Sequence, residues 1–159
     1  MEGETLNTVA KSSDFPLGRQ DAKPLEDDGR WSGDAQLWGR PPKPGEWADL
    51  EVTVPTDGKY TVVVHLTKAH DYGIIQFSID GMPLGKPFDG FKADAVAAAG
   101  PAKPGASYPP PLPPVPPVEL GIVELKKGLH KLRVEVVGGN EKSAGYRWGL
   151  DCVVFKPAS

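Results

Sequence analysis

Residues 59–67 constrain the chain most strongly, because Tyr60, Val62, Val64 and Leu66 alternate there with Thr61, Val63, His65 and Thr67. Successive side chains of a strand point to opposite sides, so a period of two marks a strand with one core face. Residues 73–79 repeat the pattern with Ile75, Phe77 and Ile79 on one side and then meet Asp80-Gly81. That dipeptide suits a tight hairpin whose two central residues need positive φ, so residues 82–84 are expected to return as a short strand. Upstream, residues 47–54 place Ala48, Leu50, Val52 and Val54 on one face. The turn Pro55-Thr56-Asp57-Gly58 is expected to join this run to the next as an antiparallel pair. Further strands are expected at 118–125, at 129–137 with Leu132, Val134 and Val136 inward, and at 146–155. Residues 4–10 are expected to add a strand beside the last one. No helical stripe interrupts this series, and the 19 glycines and 18 prolines fall mostly between the apolar runs. The expected fold is therefore all-β, a two-sheet antiparallel β-sandwich.

The 159 residues suffice for a single domain with a proper core. Within it, the stretch at about 95–117 reads as a surface insertion, since residues 101–117 carry nine prolines. Proline fixes φ and offers no backbone donor, which rules out an inner strand and favours extended polyproline II. A stiff surface loop is the favoured reading, ahead of a docking segment for an aromatic-lined groove.

The charge balance excludes some partners. Eighteen basic residues oppose 21 acidic ones for a net charge of −3, and their scatter leaves no footprint for nucleic acid. No apolar run approaches the roughly 18 residues of a membrane-spanning helix, so a membrane partner is not expected either. Met1-Glu2-Gly3-Glu4 lacks the basic and apolar regions of a secretion signal. That fits a cytoplasmic protein, and equally a domain of a longer secreted chain. Cys152 is the only cysteine, and within its apolar run it reads as a buried, inert thiol.

Catalytic signatures are sparse. His65, His70 and His130 do not stand in a metal-binding spacing such as H-E-x-x-H, and there is no nucleophile elbow or phosphate-cradling glycine loop. A hydrolase built on Asp34 and Asp71 ranks last, because neither has a recognisable partner set. The aromatics say more. Trp31, Trp38, Trp47 and Trp148 are four tryptophans in a small sandwich. If Leu37 points inward on a short strand, Gln36 and Trp38 point outward, which sets an indole beside Asp34 and Arg40. A flat ring beside planar polar groups suits a sugar: the ring stacks on pyranose C–H groups while carboxylate, amide and guanidinium bind hydroxyls. The loop Lys68-Ala69-His70-Asp71-Tyr72-Gly73 and the run Tyr146-Arg147-Trp148-Gly149 are the other candidates, since loops at sandwich ends collect binding groups. From these, Lys68, Asp71, Tyr72, Arg147 and Trp148 join Trp31, Asp34, Trp38 and Arg40 as expected ligand-binding residues. A structural salt bridge from Asp71 to Arg147 or Lys68 competes with that role.

Glu4-Thr5-Leu6, Asp57-Gly58-Lys59-Tyr60-Thr61-Val62, Phe77-Ser78-Ile79-Asp80-Gly81, Leu125-Lys126-Lys127-Gly128-Leu129-His130-Lys131-Leu132 and Gly149-Leu150-Asp151 together resemble the galactose-binding-like jelly rolls found among carbohydrate-binding modules. Residues 68–76 and 146–151 resemble more closely the C-terminal accessory module of some bacterial double-jelly-roll glycoside hydrolases. The resemblance implies a non-catalytic module that binds polysaccharide or glycan beside a catalytic domain of a secreted bacterial parent, and so an extracytoplasmic location. It also implies a structural calcium between a glutamate of the first strand and an aspartate of the last, at Glu4 and Asp151. The asparagine that such modules often carry just before the final strand has no counterpart here. The competing role is structural, with the tryptophans packed against a neighbouring domain or a second copy.

Overall fold

The computed structural model describes residues 1–21, 35–92 and 115–158. These contain one short 3-10 turn (Gly3–Thr5) and ten strands: β1 (Thr8–Lys11), β2 (Leu17–Asp21), β3 (Ala35–Gly39), β4 (Trp47–Val54), β5 (Gly58–Leu66), β6 (Ile74–Ile79), β7 (Met82–Asp89), β8 (Val118–Leu125), β9 (Gly128–Gly138) and β10 (Trp148–Pro157). They form two five-stranded sheets, sheet A in the order β2-β3-β10-β5-β8 and sheet B in the order β1-β4-β9-β6-β7. The strand pairings are antiparallel throughout. The expected two-sheet sandwich is the fold.

The alternating residues build the core as their period dictates. Leu50, Val52 and Val54 of β4, Val62, Val64 and Leu66 of β5, Ile75, Phe77 and Ile79 of β6, and Leu132, Val134 and Val136 of β9 meet between the sheets in one buried cluster. The Asp80-Gly81 turn forms as expected, with φ of 47° and 87°, and connects β6 to an antiparallel β7. That returning strand runs on to Asp89, well past the short one expected.

Two pairings differ from the sequence reading. The turn after β4 does not make a hairpin: β4 pairs with β1 and β9 in sheet B, whereas β5 pairs with β10 and β8 in sheet A. Residues 55–57 therefore arch from one sheet to the other, and a turn of this composition serves an arch as well as a hairpin. The amino-terminal strand also lies elsewhere, because β1 pairs with β4. Only the residues before it reach the last strand: Glu2 bridges Cys152, and Met1 and Val153 exchange backbone hydrogen bonds. Most of the proline-rich stretch lies outside the described residues.

Candidate functional site

The loop end of sheet A gathers most of the expected residues. Leu37 of β3 is in the core, so Gln36 and Trp38 project from the outer face of the sheet. Gln36 is nevertheless fully buried. Its amide nitrogen donates to Gln20 Oε1 at 2.6 Å and to the Tyr72 hydroxyl at 3.1 Å, and its Oε1 accepts from Thr67 Oγ1 at 2.7 Å. The segment following β5 folds back over these groups. It is held there by backbone bonds, Arg147 N–H donating to the Asp71 carbonyl at 3.0 Å and Gly73 N–H to the Arg147 carbonyl at 2.8 Å. Burial pushes the Tyr72 phenol up to about 12, so it stays protonated beneath the loop.

Above this polar floor lies Trp38, partly exposed and packed on Ala69 and Tyr72. Two guanidiniums lie over its ring, with Arg40 Cζ 4.7 Å and Arg147 Cζ 5.3 Å from the centroid. Arg147 Nη1 is also 3.0 Å from Asp71 Oδ2, and Asp71 Oδ1 is 3.5 Å from His70 Nδ1. The strand neighbours of Trp38 are glycines on both sides, Gly18 on β2 and Gly149 on β10. They differ in the space around them. A Cβ at Gly149 would stand 2.2 Å from Gln36 Oε1, whereas one at Gly18 would meet nothing within 4 Å. Above Gly149 the space is filled by the Gln36 and Thr67 side chains. A partly exposed aromatic ring with adjacent donors and one acceptor can hold a small polyhydroxylated ring.

Of the expected site residues, the structure brings together Trp38, Arg40, Asp71 and Arg147. Two others lie inside the protein. Trp148 is 2% exposed and belongs to the core between the sheets; its ring fills the space where a Cβ at Gly39 would stand, 2.5 Å away. The alternation of β10 carried this signal, since Trp148 shares a face with core residue Leu150 while Arg147 and Gly149 take the other. Tyr72, 4% exposed, supports Trp38 from below. Lys68 is turned toward Phe88, its Nζ 5.3 Å from that ring. Trp31 and Asp34 lie outside the described residues, as does the Glu4 side chain. Gln36 points outward as expected but is buried, with Thr67, because a loop covers it; alternation along the strand carries no signal for that covering.

The calcium implied at Glu4 and Asp151 meets a different donor set. Asp151 is 5% exposed, and the ligand-capable groups converging with its carboxylate, within 4.8 Å of one another, are the His65 imidazole and the Cys152 thiol. Calcium takes six to eight oxygens; of the two residues implied for it only Asp151 has a described side chain, and the groups beside that carboxylate add nitrogen and sulfur rather than oxygen.

A concavity lies elsewhere, on the outer face of sheet B. It measures about 500 Å³ and is lined by Asp49, Gln76, Ser78, Lys131, Arg133 and Glu135 among others. No aromatic among the described residues lines it, and the nearby Trp47 ring has the Arg133 guanidinium over it, 3.8 Å from the centroid. Arg133 also donates to both Asp49 oxygens at 2.7 and 3.0 Å, and that hydrogen bonding raises its pKa further. Charge there is largely committed to internal pairs.

No family model and no curated protein matches this chain. Solved structures do. A Paenibacillus xanthan lyase is similar over 99% of this chain, with a TM-score of 0.75 at 20% identity, and the chain spans 13% of that enzyme's length. A family 35 carbohydrate binding module from Clostridium thermocellum is similar over 98% of this chain and 96% of its own, with a TM-score of 0.54 at 17% identity. The carbohydrate binding module of Cellvibrio mixtus lichenase 5A, solved in complex with cellotriose, is similar over 100% of this chain and 96% of its own, with a TM-score of 0.52 at 13% identity. At these identities the likeness establishes the fold alone, a two-sheet jelly-roll β-sandwich.

Proposed function

We propose that the chain is a non-catalytic carbohydrate-binding module, and that it holds glycan at the Trp38 rim. The observation that carries this reading is the partly exposed indole of Trp38, with the Arg40 and Arg147 guanidiniums and the Asp71 carboxylate gathered at it. A pyranose stacked there presents C–H groups to the ring and hydroxyls to the guanidiniums and the Asp71 carboxylate. Supporting it, two of the folds it resembles are described as carbohydrate binding modules. The module serves as an accessory part of a larger extracytoplasmic protein, a reading supported by the small share of the xanthan lyase that it spans. Its role there is to keep a catalytic neighbour near its polysaccharide and so raise the local substrate concentration. With one ring and a few hydrogen bonds on a preformed surface, dissociation constants of roughly micromolar to millimolar are expected.

Affinity electrophoresis through gels containing neutral and acidic polysaccharides tests this. Retardation in at least one gel, lost in Trp38→Ala, is the expected result. Unretarded migration in every gel would remove the proposal, and dimerisation abolished by Trp38→Ala would assign the indole to a protein interface instead.

A further inference from the structure

The last inner strand of sheet A carries a local irregularity that has nothing to do with the Trp38 rim. Leu150 and Val153 of β10 both point into the core, so two residues rather than one separate successive inward positions. On the partner strand the register passes directly from Leu66, opposite Leu150, to His65, opposite Cys152, and then to Val64, opposite Val153. This is a β-bulge: Asp151 and Cys152 together oppose the single residue His65, and both are turned to the outer face. The result is an imidazole, a carboxylate and a thiol whose ligand atoms lie within 4.8 Å of one another. Glu2, which bridges Cys152 in antiparallel fashion, brings a second carboxylate to the same row.

We propose that His65, Asp151 and Cys152 bind a divalent ion of the zinc class. The donor types decide the class of metal. Thiolate and imidazole select soft to borderline ions, whereas calcium and magnesium demand oxygen. Zinc accepts all three of these side chains and is held in a tetrahedron, which leaves a fourth position for water. Binding requires the thiolate and the neutral imidazole, so Cys152 gives up its proton to solvent as the sulfur–metal bond forms, and affinity rises with pH. Because the three residues span two neighbouring strands, the ion clamps β5 to β10 at the point where the bulge breaks their ladder.

The test uses the reduced, metal-stripped protein with cobalt(II) and zinc(II) as probes. Cobalt is expected to produce one equivalent of a thiolate-to-metal charge-transfer band in the near ultraviolet, displaced by zinc and unaffected by excess calcium. Cys152→Ser is expected to lose that band, and His65→Gln to weaken zinc, in competition with a chromophoric chelator, by at least the roughly 10–100-fold that loss of an outer-shell partner costs. The band on the unaltered protein needs no variant to fold. Its absence, or equal zinc affinity in the unaltered protein and in Cys152→Ser, would overturn the site.

Discussion

The Arg147 guanidinium stands between the Asp71 carboxylate, 3.0 Å from its Nη1, and the ring of Trp38, 5.3 Å from its Cζ. One side chain thus ties the loop after β5 to the indole on β3. The pair is partly solvated, its side chains being 42% and 17% exposed, so its contribution to folding is small. Arg147→Ala and Asp71→Asn are each expected to lower stability by no more than about 1 kcal/mol, measured by urea denaturation. Both are expected to weaken glycan retention several-fold, because the cation beside the ring is lost or left unoriented.

The two tryptophans that flank Arg147 in the argument separate cleanly. Trp148 lies wholly in the core, so Trp148→Ala is expected to cost about 3–5 kcal/mol. Trp38, half covered by Ala69 and Tyr72, is expected to cost less than about 2 kcal/mol when cut to alanine. Thermal unfolding of both variants checks this, and similar losses from the two would contradict their placement.

Much of this was readable before any coordinates. Strands β4, β5, β8 and β9 fall where alternation of apolar side chains put them, because one wet face and one dry face impose period two whatever the strand's partners are. The partners themselves were not readable: the links after β4 and β8 cross between sheets, and their turn residues would equally have closed hairpins. At the site, the outward direction of Trp38 followed from Leu37, whereas the burial of Gln36 and Tyr72 depends on a loop folding back over a sheet. The bulge at Asp151 leaves no trace in composition; it shows only once Leu150 and Val153 are both seen inside.

Gly149 offers a third test. A Cβ there would stand 2.2 Å from Gln36 Oε1 and 2.3 Å from Thr67 Oγ1, and Gln36 cannot yield without breaking its bonds to Gln20, Thr67 and Tyr72. Gly149→Ala is expected to cost about 1–3 kcal/mol. Gly18→Ala, where a Cβ meets none of the described residues within 4 Å, is expected to be nearly neutral, and the two midpoints in urea report the difference.

The hairpin turn of sheet B confers a pH dependence. His130 Nδ1 lies 2.5 Å from Asp80 Oδ2 and its Nε2 lies 2.6 Å from the Lys126 carbonyl. Burial disfavours the charged imidazole, but these bonds outweigh it and raise the pKa above 6.5. Burial likewise opposes ionisation of Asp80, and the Lys131 amide with His130 lowers its pKa below 3.8 all the same. A raised histidine stabilises fully below its unfolded value, and a lowered aspartate fully above its own. The pair therefore contributes most between about pH 3.8 and 6.5, fading as pH rises through the histidine's raised value and as it falls through the aspartate's lowered one. His130→Gln is expected to flatten the alkaline side of the melting temperature profile.

The most direct test of glycan binding at the rim follows the indole N–H resonances of the four tryptophans while a retained oligosaccharide is titrated into isotope-labelled protein. The signal of Trp38 is predicted to shift progressively to saturation, while those of Trp47 and Trp148 stay in place. Movement of the Trp47 signal with Trp38 unmoved would transfer binding to the outer face of sheet B and contradict the account.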